Sequence, residues 1–439
     1  MATSVLPEKR PLRINFPPSY DLCLSSRFPH PHAPDVTALN AASQHITSIM
    51  TIQKITQWDD LEPYRARWDQ LAGDCVFRSW DWLSTWWQHY RANQELFVLL
   101  VFSEGSLSAN DLPNCQPSTN CLASATDEKE LVAILPCYLE THFARGQVLR
   151  LLGDGEVCSD YLDLLAEPGS LQATAEALAN YLCDHAHAWD TTDFKAIGVE
   201  TPGLVELSHA LDALDCQVTR TPNESCWVAS LPDAWEAFLA MQSKSHRKQL
   251  RRAQRRVLES DETTWHLVET AEQLAVAWPI LIDLHQRRRI SLGEPGCFAS
   301  QRWANFHHEV AQRLLGAGKL RLSWLEIAGQ PVAAEYNFSG QQTTWSYQGG
   351  IDPDCVDTSP GQTLMIRTFQ HAIQEGHQQF DLLRGDEPYK AHWRAKPQAT
   401  FDIQIVPTRS AARLRWQALH CLQRAARLAR QLTSLRLFC

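Results

Sequence analysis

The chain contains no run of about 18 or more apolar residues, which excludes a membrane-spanning helix. It has no charged-then-apolar leader at its N-terminus, so the expected compartment is the cytoplasm. None of its thirteen cysteines forms a Cys-x-x-Cys pair. Their odd number and their scatter along the chain point to a reducing compartment and away from a structural zinc site. Cys115 and Cys121 share a polar stretch and read as two thiols of a surface loop. The seventeen histidines include no His-x-x-x-His on a helix with a third ligand, so no metal is expected. No cysteine has a convincing histidine partner for nucleophilic catalysis. The net charge of −10 and a pI near 5.9 exclude whole-chain attraction to DNA. Acid is missing from the C-terminal stretch: residues 409–439 hold no Asp or Glu but seven Arg.

What is present is ordinary globular composition, 44% hydrophobic and 21% charged, with sixteen Trp. The length of 439 residues allows two or three domains. Residues 1–49 are rich in Pro, Ser and Ala without a sustained period, and are expected to be a disordered extension. Met50 then opens a strand-like segment and is a candidate true or alternative start. Residues 50–225 read as helices, apolar strands, a long polar insertion at 103–129, further strands including DYLDLL, and alternating helices and strands. Residues 226–401 repeat the theme: Asp233 and Glu236 as a capping box, long helices, a hairpin of KLRLSWLEI and PVAAEYNF, the strand TTWSYQGGI, a helix from SPGQTL, and the strand QFDLLRG. The expected fold class is α/β: two tandem mixed-sheet halves flanked by helices, followed by a basic amphipathic helical tail over 402–439. Leu414, Leu422, Leu428, Leu432 and Leu435 give that tail an uneven apolar stripe, suited to the acidic body or to an anionic membrane surface.

The strongest constellation runs from Asp352 to Trp393. A strand ends in a turn, and Ser359-Pro360-Gly361-Gln362 opens a helix. The first turn of a helix has free N–H groups and a positive dipole end, and Gly361 lets a ligand approach the backbone. The pattern suits a phosphate or diphosphate site, with an ordinary capped helix behind a loop as the competing reading. The next strand delivers Arg384, Gly385, Asp386, Glu387, Pro388, Tyr389 and Lys390, then Trp393, where α/β folds place ligands. Upstream, Lys244, Arg247, Lys248, Arg251, Arg252, Arg255 and Arg256 precede the next acid. Arg247 and Arg251 are the chosen phosphate contacts, because a guanidinium grips phosphate with a planar fork. A solvated, salt-bridged face is the competing reading.

SPGQTL followed by FDLLRGDEPYKAHW resembles the CelD/BcsL-type acetyltransferases, a branch of the GNAT superfamily related to the FemAB peptidyltransferases. FRSWDWLSTWWQHY, LVAILPCYLE, LRLLGDGEVCSDYLDLL, LPDAWEAFLAMQSKSHRKQLRR and PVAAEYNF extend the resemblance over Trp58–Phe401 in the family's order. The usual Q/R-x-x-G-x-G/A diphosphate loop has no clean copy; SPGQTL stands in its place. The resemblance implies GNAT-like halves and acyl transfer from acyl-CoA, acetyl-CoA in the first instance, with no covalent enzyme intermediate and no metal.

Such chemistry needs a polarised thioester carbonyl and a proton acceptor. Glu335, lone in an otherwise apolar strand, and Asp381 are the candidate bases. Glu335 is expected to have an arginine partner, and Asp381 to brace Arg384 or Lys390. Tyr389 is the candidate acid for the leaving thiolate, with Lys390 in the segment over the reacting end. Ser359, Gly361, Gln362, Arg384, Arg247 and Arg251 are assigned to the donor. Asp160, Tyr161, Glu294 and Trp393 are assigned to the acceptor. The expected activity is transfer to an amine or hydroxyl of a saccharide or cell-envelope precursor, in the cytoplasm or at the inner membrane face. The rivals are a Fem-like enzyme using aminoacyl-tRNA and a non-catalytic GNAT-like scaffold.

Overall fold

The computed structural model describes residues 50–104, 129–198, 201–355 and 358–436. The extension at 1–49 and the insertion's centre at 105–128, with Cys115 and Cys121, lie outside the described residues. Among those described, two sheets form. In the first, β1 (Met50–Ile55), β2 (Glu95–Ser103), β3 (Glu130–His142) and β4 (Gly146–Leu151) make an antiparallel meander. β5 (Leu165–Ala166) pairs with β3, and β6 (Thr191–Thr192) lies parallel to β4. Helices α1 (Arg65–Ala72), α2 (Trp80–Tyr90), α3 (Leu171–Asp184) and α4 (Pro202–Ala213) belong to this part of the chain.

The second sheet has the order β7 (Phe194–Gly198), β14 (Lys396–Val406), β8 (Gln217–Ser230), β13 (Gln379–Arg384), β12 (Thr343–Ile351), β11 (Gln330–Ser339), β10 (Leu320–Ile327), β9 (Thr263–Leu267). Its helices are α5 (Trp235–Met241), α6 (Lys244–Ala253), α7 (Ala271–Ser291), α8 (Gln301–Gly316), α9 (Pro360–Gln374) and α10 (Pro388–His392), and α11 (Ser410–Arg436) closes the chain. The hairpin read from KLRLSWLEI and PVAAEYNF is β10–β11, antiparallel as expected. The fold is thus α/β with two mixed sheets and flanking helices.

Three local readings are corrected. The 225/226 boundary falls inside β8, and β7 joins the second sheet through β14. DYLDLL is not a strand beyond Leu165: Tyr161 takes a left-handed φ of 62°, which breaks the extended run. Asp233 does not cap α5, whose N-cap Ala234 has no side-chain cap; the capping box is Thr270–Gln273, at the start of α7.

The tryptophans explain how the sheets hold together. Trp80, Trp82, Trp86 and Trp87 of α2 are all buried. Trp82 packs edge-on against Phe306 of α8, Phe338 of β11 and Tyr347 of β12, while its indole N–H donates to Ser159 Oγ at 2.8 Å. One hydrophobic cluster therefore runs through both sheets, from Ile55 to Ile405. Each buried ring removes a large apolar area from water and gains directional contacts worth about 1 kcal/mol per pair.

α7 lies close against β12. A Cβ added at Gly350 would come within 2.3 Å of the His285 backbone nitrogen. Backbone cannot swing aside as a side-chain tip can, so Gly350→Ala is expected to lift α7 from the sheet and destabilise the chain by about 2 kcal/mol or more. Urea unfolding followed by circular dichroism measures it.

Candidate active site

β12 and β13 are parallel neighbours that stay paired only from Thr343–Trp345 to Gln379–Asp381. Beyond that point both strands are irregular. β12 bulges at Tyr347, where the register to β11 shifts between Asn337↔Ser346 and Tyr336↔Gln348. β13 slips against β8 between Asp381 and Arg384, with Leu383 at a left-handed φ of 56°. Bulges bend a strand and increase its twist, and here the two strands part. The opening is a cavity of about 680 Å³. Its walls are the free end of β12, Ala333–Glu335 of β11, the first turns of α9, the segment Tyr389–Trp393, and Arg288 and Arg289 of α7.

At one end stands the N-terminus of α9. Ser359 takes a left-handed φ of 48°, and its side chain makes no cap bond. Pro360 has no N–H, and the Thr363 N–H donates to Ser359 O at 3.0 Å. Among the described residues the Gly361 and Gln362 amides have no acceptor, and both residues line the cavity. A side chain at Gly361 would press on Ile351 at 3.1 Å, so glycine keeps the approach to these amides open. The Gln362 Oε1 accepts from Gln249 Nε2 of α6 at 3.1 Å, tying the basic helix to this end. Arg289 pairs with Glu294 at 2.8 Å, whereas Arg288 has no ion-pair partner among the described residues. Free amides, a helix dipole and a cation together make an anion site.

Farther in, Glu335 lines the cavity opposite Gly349. It is buried, and among the described residues no arginine meets it. Its Oε2 accepts from the Thr368 hydroxyl at 2.7 Å and the Asn337 amide at 3.1 Å. Burial pushes its pKa above the ordinary 4.5, and those two donors hold it partly down. Tyr389 is half-exposed into the same space, and burial together with the nearby Glu387 and Glu335 charges pushes its hydroxyl upward. His246 and His392 stand at the rim, where burial and the His392 and Arg394 charges keep His246 below 6.5.

The structure brings together Glu335, Tyr389, Lys390, Gly361, Gln362 and Trp393, and places the remaining candidates elsewhere. Ser359 shapes the turn without lining the cavity. Lys390 has no free donor: its Nζ donates to the carbonyls of Leu383, Arg384 and Gly385 at 2.9–3.1 Å and pairs with Glu387 at 2.9 Å. Asp381 lies outside the cavity. It accepts from the Leu383 N–H at 2.8 Å and faces the Tyr161 hydroxyl, so it braces the β13 bulge rather than Arg384. Arg384 turns away to Asp160, which holds both its Nε (3.0 Å) and its backbone N–H (3.1 Å). Asp160 and Tyr161 are thereby occupied with β13 and do not present an acceptor surface. Arg247 binds the carbonyls of Ala240 and Gln242, and Arg251 pairs with Glu236 at 2.6 Å, so neither reaches the cavity. Glu294 meets the site only through Arg289. Trp393 is core, stacked on Phe369 at 4.6 Å, and shows the cavity part of its ring. Arg288 and Arg289 were missed by the sequence reading; the only signal was three consecutive arginines at the end of α7.

Residues 244–391 match the family model described as an acetyltransferase (GNAT) domain. No curated protein matches the chain. Among solved structures, FemX is similar with a TM-score of 0.52 at 10% identity, over 80% of this chain and 96% of FemX. A conserved protein of unknown function from Bacteroides thetaiotaomicron aligns with a TM-score of 0.47 at 10% identity, over 82% of this chain and all of that one. A tandem GNAT protein from the clavulanic acid biosynthesis pathway aligns at 0.41 and 10% identity, over 82% and 98%. The second sheet thus carries a GNAT-type acyltransferase fold, and FemX shares the architecture over four fifths of the chain.

Lys390→Met should leave three buried carbonyls without donors and lower stability by about 3 kcal/mol or more; denaturant melts check it. Asp381 gives a pH signature. Burial raises its pKa from 3.8 to about 7. Between those values the folded chain binds a proton that the unfolded chain releases, so this group's contribution falls as pH rises. The stability of Asp381→Asn relative to the parent should therefore climb from pH 4 to 7, by about 4 kcal/mol.

Proposed function

We propose that the chain is an acyltransferase of the CelD/BcsL type, moving an acyl group, acetyl in the first instance, from acyl-CoA to an amine or hydroxyl of a saccharide or cell-envelope precursor. One observation carries the reading: the sheet opens between β12 and β13 beside two amides of α9 that have no acceptor among the described residues. A CoA diphosphate would sit on the Gly361 and Gln362 N–H groups, with Arg288 adding positive charge. The pantetheine arm would run into the opening, where the free edge of β12 offers main-chain N–H groups to the thioester oxygen. The acceptor nitrogen or oxygen attacks the carbonyl carbon and the C–S bond breaks. Glu335 takes the acceptor's proton, and Tyr389 gives one to the departing sulfur. Glu335 suits that task because burial raises its basicity while Thr368 and Asn337 fix its orientation. The second half is the donor unit, and the reaction is placed in the cytoplasm.

One observation favours a second reading, an aminoacyl-tRNA donor. Lys244, Lys248 and Arg252 of α6 are exposed, and Gln249 of that helix touches the donor end. Nucleic-acid phosphates would suit that face. Incubating the protein with acetyl-CoA and a panel of amino sugars and sugar hydroxyls, while following free thiol, separates the readings. Acceptor-dependent thiol release supports the proposal. Transfer only from charged tRNA, abolished by ribonuclease, supports the second reading, and no transfer from either donor leaves a binding scaffold.

Glu335→Gln is expected to lower kcat by about a hundredfold or more with little change in donor affinity. In the parent, kcat/KM should fall as pH drops through the raised pKa of Glu335, and that acid limb should vanish in the variant. Steady-state rates across pH against calorimetric donor binding check both.

A further inference from the structure

α11 is attached to the body by one face near its start. Ala412 is buried, and Trp416 donates its indole N–H to Gln404 Oε1 at 3.3 Å. Arg415 pairs with Asp190 at 2.6 Å, and Arg409 pairs with the same carboxylate. Ala412, Trp416 and Leu419 are spaced by four and three, so they share one helix face, and all three line the seam against Asp190 and Gln404. Leu414 and Leu422, two of the leucines that looked suited to docking, are not on it. Leu414 is 64% exposed and Leu422 is 68% exposed. At 100° per residue, position 414 lies roughly 165° and position 422 roughly 85° around the helix from the centre of the docked face.

The sequence continues that second face. Leu414, Cys421, Leu428, Leu432 and Leu435 recur at intervals of seven, seven, four and three, a sustained stripe along a helix about 40 Å long. The flanks are one-signed: Arg413 and Arg415 hold the body through Asp215 O and Asp190, further arginines stand at 424, 427, 430 and 436, and no acid occurs in the helix. Two copies packed through this stripe would bring arginines against arginines with no carboxylate between them, which disfavours self-association. The acidic body is already engaged through the other face. No helix among the described residues is long and apolar enough to cross a membrane. A one-signed helix with a leucine stripe fits instead the plane of an anionic bilayer, its leucines among the acyl chains and its arginines at the headgroups.

We propose that α11 is an interfacial helix that holds the enzyme on an anionic lipid surface through the exposed side marked by Leu414 and bordered by Leu422, while the Ala412–Trp416–Leu419 face keeps it joined to the body. The inference is independent of the donor and acceptor chemistry proposed above.

The test is co-sedimentation of the full-length protein with phosphatidylcholine vesicles, with and without phosphatidylglycerol. Binding is expected only to the anionic vesicles and should weaken as salt is raised. The pair Leu414→Asp and Leu422→Asp, and separately the pair Arg424→Glu and Arg427→Glu, should each lower the partition coefficient about tenfold or more, with unchanged circular dichroism melts. The arginine pair keeps the test valid if the leucine pair unfolds. Failure of the parent protein to bind anionic vesicles overturns the proposal. So does full binding by a folded leucine variant, which would reduce the effect to unspecific basic charge. A dimer in light scattering that the leucine variant abolishes, without vesicle binding by the parent, would assign the stripe to a second copy.

Discussion

The structure depends on how β13 leaves its neighbour without stranding its own backbone. Where two parallel strands part inside a protein, N–H and C=O groups lose their ladder partners, and each buried orphan costs roughly 1–3 kcal/mol. β13 replaces those partners with charged side chains. Lys390 covers the carbonyls of Leu383, Arg384 and Gly385. Asp381 takes the Leu383 N–H, Asp160 takes the Arg384 N–H, and Ser225 O takes the Gly385 N–H. The charges are themselves paired, Asp160 with Arg384 and Lys390 with Glu387, so the arrangement satisfies the backbone without leaving a buried ion alone. With one wall fixed in this way, the β12 edge and the α9 amides are left without partners among the described residues.

That arrangement explains both the success and the error of reading chemistry from the sequence. The order of strands and helices was legible because hydrophobic period and turn residues mark it: the β10–β11 hairpin, the Pro-initiated α9, and the apolar β13. Gly361 and Gln362 were legible because a helix start has a fixed chemistry. Glu335 stood out as a lone acid in an apolar strand, and it does line the cavity. Its expected arginine was wrong because a hydroxyl and an amide can hold a buried carboxylate without a cation.

The charged run after β13 was read as a catalytic and ligand-binding loop; Lys390 serves the main chain, and Arg384, Asp386 and Glu387 meet Asp160, Trp227 and Lys390. Sequence cannot tell whether a lysine six residues beyond a strand end reaches solvent, a ligand or the carbonyls it has just passed; only the parting of the strands decides that. Asp160 and Tyr161 were correctly drawn to the same region, yet they meet β13 and no open surface. Arg247 and Arg251 illustrate the converse. A dense basic helix invites a phosphate reading, but those two are consumed by α5 and Glu236, while Arg288 reaches the cavity from the end of a helix to which no role was assigned. The half boundary was missed because β7 and β8 are contiguous in sequence with the first sheet but pair in the second.

The account's central claim is that the opening between β12 and β13 exists to seat a thioester donor whose diphosphate rests on the start of α9. Hydrogen–deuterium exchange of the full chain, read by mass spectrometry with and without saturating acetyl-CoA, tests it most directly. Exchange should slow in the peptides spanning Gly361–Met365 and Ser346–Ile351 and stay unchanged across β1–β4. Unchanged exchange at the start of α9 under saturating donor, or slowing confined to another surface, would contradict the account.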